Sequence, residues 1–103
     1  MDYLKLVQGD SFEGQIEIFG DDAPNVVQLQ FICPSLGWTY DLRETNTPLT
    51  WLLVIPCEDT ENARVGRFSY NITATLHSGR VITAVYDAKL EIAQKVNKWN
   101  EAN

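Results

Sequence analysis

Few side chains in this sequence could do chemistry. His77 is the sole histidine. Acid–base or nucleophilic work needs an imidazole held by a second and a third group, and no Ser or Cys near His77 stands in such a motif. A zinc site built on several imidazoles is excluded for the same reason. His77 falls on the polar side of an alternating run, just before Ser78-Gly79, and reads as a solvent-facing turn residue. Carboxylates gather at Asp21-Asp22 and at Glu58-Asp59 with Glu61. A calcium loop requires ligands at alternate positions closed by a bidentate Glu, and neither cluster has that spacing. Both read as solvated loop charge. The glycines, Gly9, Gly14, Gly20, Gly37, Gly66 and Gly79, are dispersed and fit turns or bulges rather than a phosphate cradle. No catalytic, cofactor-binding or metal-binding residue is assigned, and no cofactor is expected; the chain reads as a non-enzyme.

The cysteines and aromatics leave more room. Cys33 and Cys57 are too few for a disulfide scaffold and lack CxxC spacing. The simpler reading makes both buried thiols that behave as small apolar residues; a bond between them stays open. Asn71-Ile72-Thr73 fits a glycosylation acceptor, a chance match in a chain without a secretion signal. Trp38, Tyr40, Trp51 and Trp99 are the candidate contact residues, because such side chains anchor protein interfaces or stack on a sugar ring. Core or interface use is the commoner fate and is favoured over a sugar platform.

Composition narrows the partners. The chain has 103 residues, with 8 Lys plus Arg against 14 Asp plus Glu, a formal net charge of −6. A surplus of carboxylates argues against nucleic acid, since phosphate binding runs on Lys and Arg, and against an anionic membrane surface. Hydrophobic content of 45% and charged content of 21% belong to an ordinary folded domain. The start, Met1-Asp2-Tyr3-Leu4-Lys5, has no basic segment followed by an apolar one, so no signal peptide is expected. The most apolar stretch, Leu49 to Ile55, is far shorter than the roughly 20 residues of a membrane helix. The expected place of synthesis is the cytoplasm.

The elements that must carry these residues are strands. Phe68, Tyr70, Ile72, Ala74 and Leu76 alternate with Ser69, Asn71, Thr73, Thr75 and His77, the period-two pattern of a strand with one buried face. Phe12, Gly14, Ile16 and Ile18 repeat it, as do Val27, Leu29, Phe31 and Cys33, and, more briefly, Trp38-Thr39-Tyr40-Asp41-Leu42. Leu4 and Val7 sit in a first strand, and Arg80 to Ala88 and Lys89 to Ala93 supply the last strand material. Thr50 to Ile55 is apolar on both faces: either a central strand covered twice or a strand with one face at an interface. Ser78-Gly79 marks a hairpin, because Gly supplies a positive φ. Pro56 to Arg64 is the one break that could hold a helical turn. The segment Ala93 to Trp99 is a final strand or a short tail. About seven or eight short strands with closely spaced turns predict an all-β, antiparallel, immunoglobulin-like β-sandwich. A single domain is expected over 1–103, with its core at about 3–96 and a polar tail at 97–103.

The order of several segments goes further. Leu6-Val7-Gln8-Gly9-Asp10-Ser11-Phe12, Trp51-Leu52-Leu53-Val54-Ile55-Pro56, Gly66-Arg67-Phe68-Ser69-Tyr70-Asn71-Ile72, Ser78-Gly79-Arg80-Val81-Ile82-Thr83 and Leu90-Glu91-Ile92 follow one another. In that order the chain resembles the immunoglobulin-like N-terminal domains of upper baseplate (tail) proteins from phages and prophages of Gram-positive hosts. The resemblance implies a virion structural part, assembled from copies of itself and neighbouring tail proteins, with no catalytic residues. Gly9, Asp10, Gly66, Tyr70 and Gly79 match as turn and core positions. Two functional expectations follow. One is a non-enzymatic assembly module of a phage or prophage tail or baseplate. The other is a carbohydrate-binding or cell-surface adhesion domain using exposed Trp and Tyr, with a surface glycan as ligand.

Overall fold

In a computed structural model, which describes residues 3–95, the chain folds into two facing sheets. Among those residues there are eight strands: β1 (Tyr3–Val7), β2 (Phe12–Glu17), β3 (Val26–Cys33), β4 (Trp38–Asp41), β5 (Arg43–Glu44), β6 (Thr50–Ile55), β7 (Gly66–Leu76) and β8 (Val81–Ala93). The larger sheet runs β1-β8-β7-β3-β4 and the smaller β2-β6-β5. A short helix, α1 (Cys57–Glu61), fills the break expected between Pro56 and Arg64. The architecture is the immunoglobulin-like β-sandwich that the alternation predicts. One pairing departs from the antiparallel expectation. β1 lies parallel to β8, with Tyr3 beside Lys89 and Val7 beside Ala93. A parallel pair needs a long connection, and here the whole domain intervenes between the two strands. The expected tail, 97–103, lies outside the described residues.

The core forms where the alternating faces meet. Leu29, Phe31 and Cys33 of β3, Tyr70, Ile72 and Ala74 of β7, and Leu90 and Ile92 of β8 are buried against Trp51, Leu53 and Ile55 of β6. Phe31 and Tyr70 stack with ring centroids 4.7 Å apart. Each Leu, Ile or Phe among them contributes about 1.5–3 kcal/mol when fully buried. The opposite face of the larger sheet carries Gln30, Asn71, Thr73 and Thr75, and Gln30 donates a 3.0 Å hydrogen bond to Asp41 there. At the β7–β8 hairpin, Gly79 has a φ of 91° and its N–H donates to the Leu76 carbonyl at 2.8 Å. That is the turn expected at Ser78-Gly79.

Insertions break the period in places where the alternation alone does not reveal them. The register between β3 and β7 shifts between Val26 and Gln28, and Val27 is 49% exposed. The expected inward face of β3 therefore begins at Leu29. An extra residue in one strand reverses the facing of everything on its far side. β8 is a single strand with two such shifts, opposite Tyr70–Ile72 and Ile72–Thr73. Its buried or half-buried apolar residues are Ile82, Val85, Ala88, Leu90, Ile92 and Ala93. At the first shift Asp87 takes a φ of 54°, a conformation that Asp tolerates better than most residues, and its N–H donates to Asn71 Oδ1 at 2.8 Å.

Two further expectations change. β6 is the central strand of its sheet, but only Trp51, Leu53 and Ile55 face the other sheet. Leu52 and Val54 are half-buried, with Gln15, Arg43 and Glu13 as cross-strand neighbours, so β6 is not covered twice. Cys33 and Cys57 are free thiols, and only Cys33 is buried. Cys57 opens the exposed first turn of α1, where it has no core to enter.

The bulge in β3 separates two adjacent apolar residues energetically. Leu29→Ala is expected to destabilise the domain by about 2–5 kcal/mol, and Val27→Ala by no more than about 0.5 kcal/mol. Urea denaturation of the two variants checks this; equal losses would place Val27 in the core.

Candidate functional site

α1 lies across one end of the sandwich and ties three elements together. Thr60 is fully buried. Its hydroxyl lies 2.6 Å from the Asp10 carbonyl, in the turn after β1, and 3.0 Å from the Cys57 carbonyl in its own helix. The nearer Asp10 carbonyl is the better acceptor for its single proton. Gln8 Nε2 donates to the Ala63 carbonyl at 2.9 Å. On the other side, Tyr40 of β4 donates its phenolic proton to Asp59 Oδ2 at 2.5 Å. Arg64 donates to the Ser35 carbonyl at 3.2 Å and lies over the Phe68 ring, 5.2 Å from its centroid.

These contacts border a cleft of about 460 Å³, lined among others by Trp38, Tyr40, Asp59, Asn62 and Arg64. The Trp38 and Tyr40 rings are 5.8 Å apart and inclined at 56°. Tyr40 also leans toward Phe31, which continues the aromatic contact into the core. Burial, and then the hydrogen bond to the Asp59 carboxylate, push the Tyr40 phenol well above its ordinary value of 10.0. A site of this kind offers ring surface, an acid, an amide and a guanidinium to a neutral polar ligand.

The candidate residues from the sequence are placed unequally. Trp38 and Tyr40 come together at this cleft, with Trp38 only 7% exposed. Trp51 is 6% exposed in the sheet interface, away from that cleft. Trp99 lies outside the described residues. His77 is exposed in the hairpin, and its backbone N–H donates to the Asn25 carbonyl at 2.7 Å. Asp59 departs from the reading of its cluster as solvated charge, because it is half-buried and holds the Tyr40 hydroxyl. Its position three residues after Pro56, in a helix that folds back on β4, is a tertiary fact that local charge does not carry. Among the described residues no three of His, Cys, Asp and Glu gather as a metal-holding group.

A second hollow, of about 370 Å³, opens between the sheets in the half of the sandwich away from α1. Its floor includes Leu29, Ile72 and Ala74, all buried. Its walls are the half-buried Ile16 and Ile18 on the β2 side and Ile82 and Val85 on the β8 side. Phe19, at its rim, is 82% exposed. Phe19 falls in step with Glu13, Gln15 and Glu17, a large apolar side chain at an outward position of its run. β1 pairs only with Lys89–Ala93, so Val81–Ala88 of β8 has no strand on that side among the described residues. β2, at the end of its sheet, likewise has β6 on one side and no strand on the other.

No protein-family model matches the sequence, and no curated protein matches it. Among solved structures, the fibronectin(III)-like modules of Clostridium thermocellum CbhA align over 90% of this chain and 42% of that one, with a TM-score of 0.54 and 16% identity. A protein assigned as a glycoside hydrolase, from Bacteroides vulgatus, aligns over 91% of this chain and 17% of that one, with a TM-score of 0.49 and 15% identity. This chain therefore spans under half the length of the structures it matches. The fibronectin(III)-like likeness defines the class of fold, a small immunoglobulin-like sandwich module; the second similarity is too distant to add to it.

The Tyr40–Asp59 bond has a pH signature. A phenol whose folded pKa is raised favours the protonated fold, so its contribution is intact below the unfolded value near pH 10 and fades as pH rises from there toward the folded value. Tyr40→Phe is expected to flatten the loss of stability above pH 10 while lowering stability at neutral pH by about 1 kcal/mol. Denaturant midpoints across pH 8–11.5 check this, and an unchanged alkaline slope would contradict it.

Proposed function

We propose that this chain is a non-enzymatic assembly module that works by protein–protein contact, and that its setting is a phage or prophage tail or baseplate. The observation that carries the contact reading is the apolar hollow between the sheets, walled by Ile16, Ile18, Ile82 and Val85, with an exposed aromatic ring at its rim. That ring is Phe19, 82% exposed; Val81 and Tyr86 of β8 are also exposed but do not line the hollow. Single exposed apolar residues are ordinary, but an exposed aromatic ring at the mouth of an apolar hollow is a mark of an interaction surface. The phage setting is supported by the order of the strand and turn segments and by the sandwich fold that they require. In this reading the chain enters the particle through its partners, neighbouring tail proteins or copies of itself.

A second reading has its own observation. Trp38 and Tyr40 line a cleft with Asp59, Asn62 and Arg64, a set that suits a neutral sugar. The small exposure of Trp38 leaves little ring face for stacking, which favours the assembly reading.

Affinity capture with the tail proteins encoded beside this chain, together with light scattering, separates the two. Assembly predicts capture or a defined oligomer, weakened about tenfold or more by Phe19→Ser. A strict monomer that captures none of them would contradict it. A glycan-array signal lost in Tyr40→Ala would instead establish the second reading.

A further inference from the structure

The two strand borders around the open hollow are acidic on one side and interrupted on the other. β2 is a regular strand whose residues alternate between Phe12, Gly14 and Ile16, half-buried, and Glu13, Gln15 and Glu17, exposed. The Phe12 ring folds over Gly14, where a Cβ would come within 2.8 Å of two ring carbons, so this stretch of the inner face is kept flat. Across the hollow, the uncovered part of β8 contains both register shifts and the positive φ of Asp87. Bulges of that kind disrupt edge pairing. The regular edge of β2 is thus the better acceptor for an added strand, with β8 supplying apolar wall rather than a ladder.

Charge decides what could occupy it. A second copy pairing antiparallel through β2, centred on Gln15, would set Glu13 directly opposite Glu17 twice. Like charges directly opposite one another across strands are destabilising, and each copy already carries a net charge of −6. Asp21 and Asp22 follow just beyond Phe19 and add to the acidic character of this border. A strand with Lys or Arg at its outward positions meets Glu13 and Glu17 favourably, while its inward residues enter the hollow over Ile16, Ile18, Ile82 and Val85.

We infer that the free edge of β2 accepts an extended segment of a different protein, alternating apolar with basic residues, as an added strand of the smaller sheet. Main-chain hydrogen bonds supply part of the affinity and the apolar hollow selects the inward side chains, as in other strand-addition modes. This rests on the assembly reading above and specifies its contact surface.

The test uses the whole chain and a capped peptide of about eight residues alternating Ile and Lys, matched to a usual strand length, with a Ser/Lys peptide of equal charge as control. Amide hydrogen exchange is followed by NMR. The expected result is new protection along β2, binding of the Ile/Lys peptide about tenfold or more tighter than the control, and a loss of about tenfold in the Glu13→Lys/Glu17→Lys variant. Both glutamates are exposed, so that variant keeps the fold; Phe19→Ser is a second surface variant and should weaken binding in the same direction. Unchanged exchange at β2 would overturn the inference, as would equal binding of the control. Concentration-dependent protection of β2 without peptide would do so too, by making a second copy the occupant. If the chain still captures tail proteins while β2 stays unprotected, the groove assignment fails and the assembly reading survives.

Discussion

The structure depends on one meeting of faces. Leu29, Phe31, Tyr70 and Ile72 on the larger sheet close against Trp51, Leu53 and Ile55 on the smaller. Those side chains are all buried, and the stacked Phe31–Tyr70 pair sits among them. Everything else is arranged around the borders of that contact. A small sandwich has no second core to fall back on, so each end and each strand edge must be closed or left to a partner.

The two halves solve this differently. Near α1, the helix is pinned by Thr60 to the turn after β1 and by Asp59 to Tyr40, and β1 covers the end of β8. Away from α1, no strand among the described residues covers Val81–Ala88 of β8, β2 ends its sheet, and the apolar floor of Leu29, Ile72 and Ala74 lies at the bottom of an open hollow. The same fold therefore presents a polar aromatic cleft at one end and an apolar border with acidic residues at the other. Fold class alone cannot choose between such surfaces; the chemistry of their residues does.

Much of this arrangement was legible in the residue pattern, and the rest was not for identifiable reasons. The alternation from Phe68 to Leu76 appears directly as the burial of Tyr70, Ile72, Ala74 and Leu76, because no insertion interrupts β7 itself. Ser78-Gly79 and the Pro56 break were equally local signals. The alternation puts Val27 inward with Leu29, and it is exposed instead, since the shift beside it is set by pairing with β7, not by its neighbours in sequence. The spacing of Ile82, Val85, Ala88 and Leu90 fits neither a strand nor a helix, and it makes sense only once the bulges opposite Tyr70 and Ile72 are known. The direction of β1 beside β8 leaves no mark in alternation at all. The candidate site was half visible: Trp38 and Tyr40 share a strand face, whereas Asp59 within α1 and Arg64 just after it reach them only through the tertiary fold.

The most direct test of this account is residue-resolved hydrogen exchange of the isolated protein along β8. The account predicts that the amides of 89–93, held between β1 and β7, exchange slowly, and that the amides of 81–88 not bonded to β7 exchange orders of magnitude faster. Uniformly slow exchange along the whole strand would contradict it, because the open border between the sheets would then already be closed.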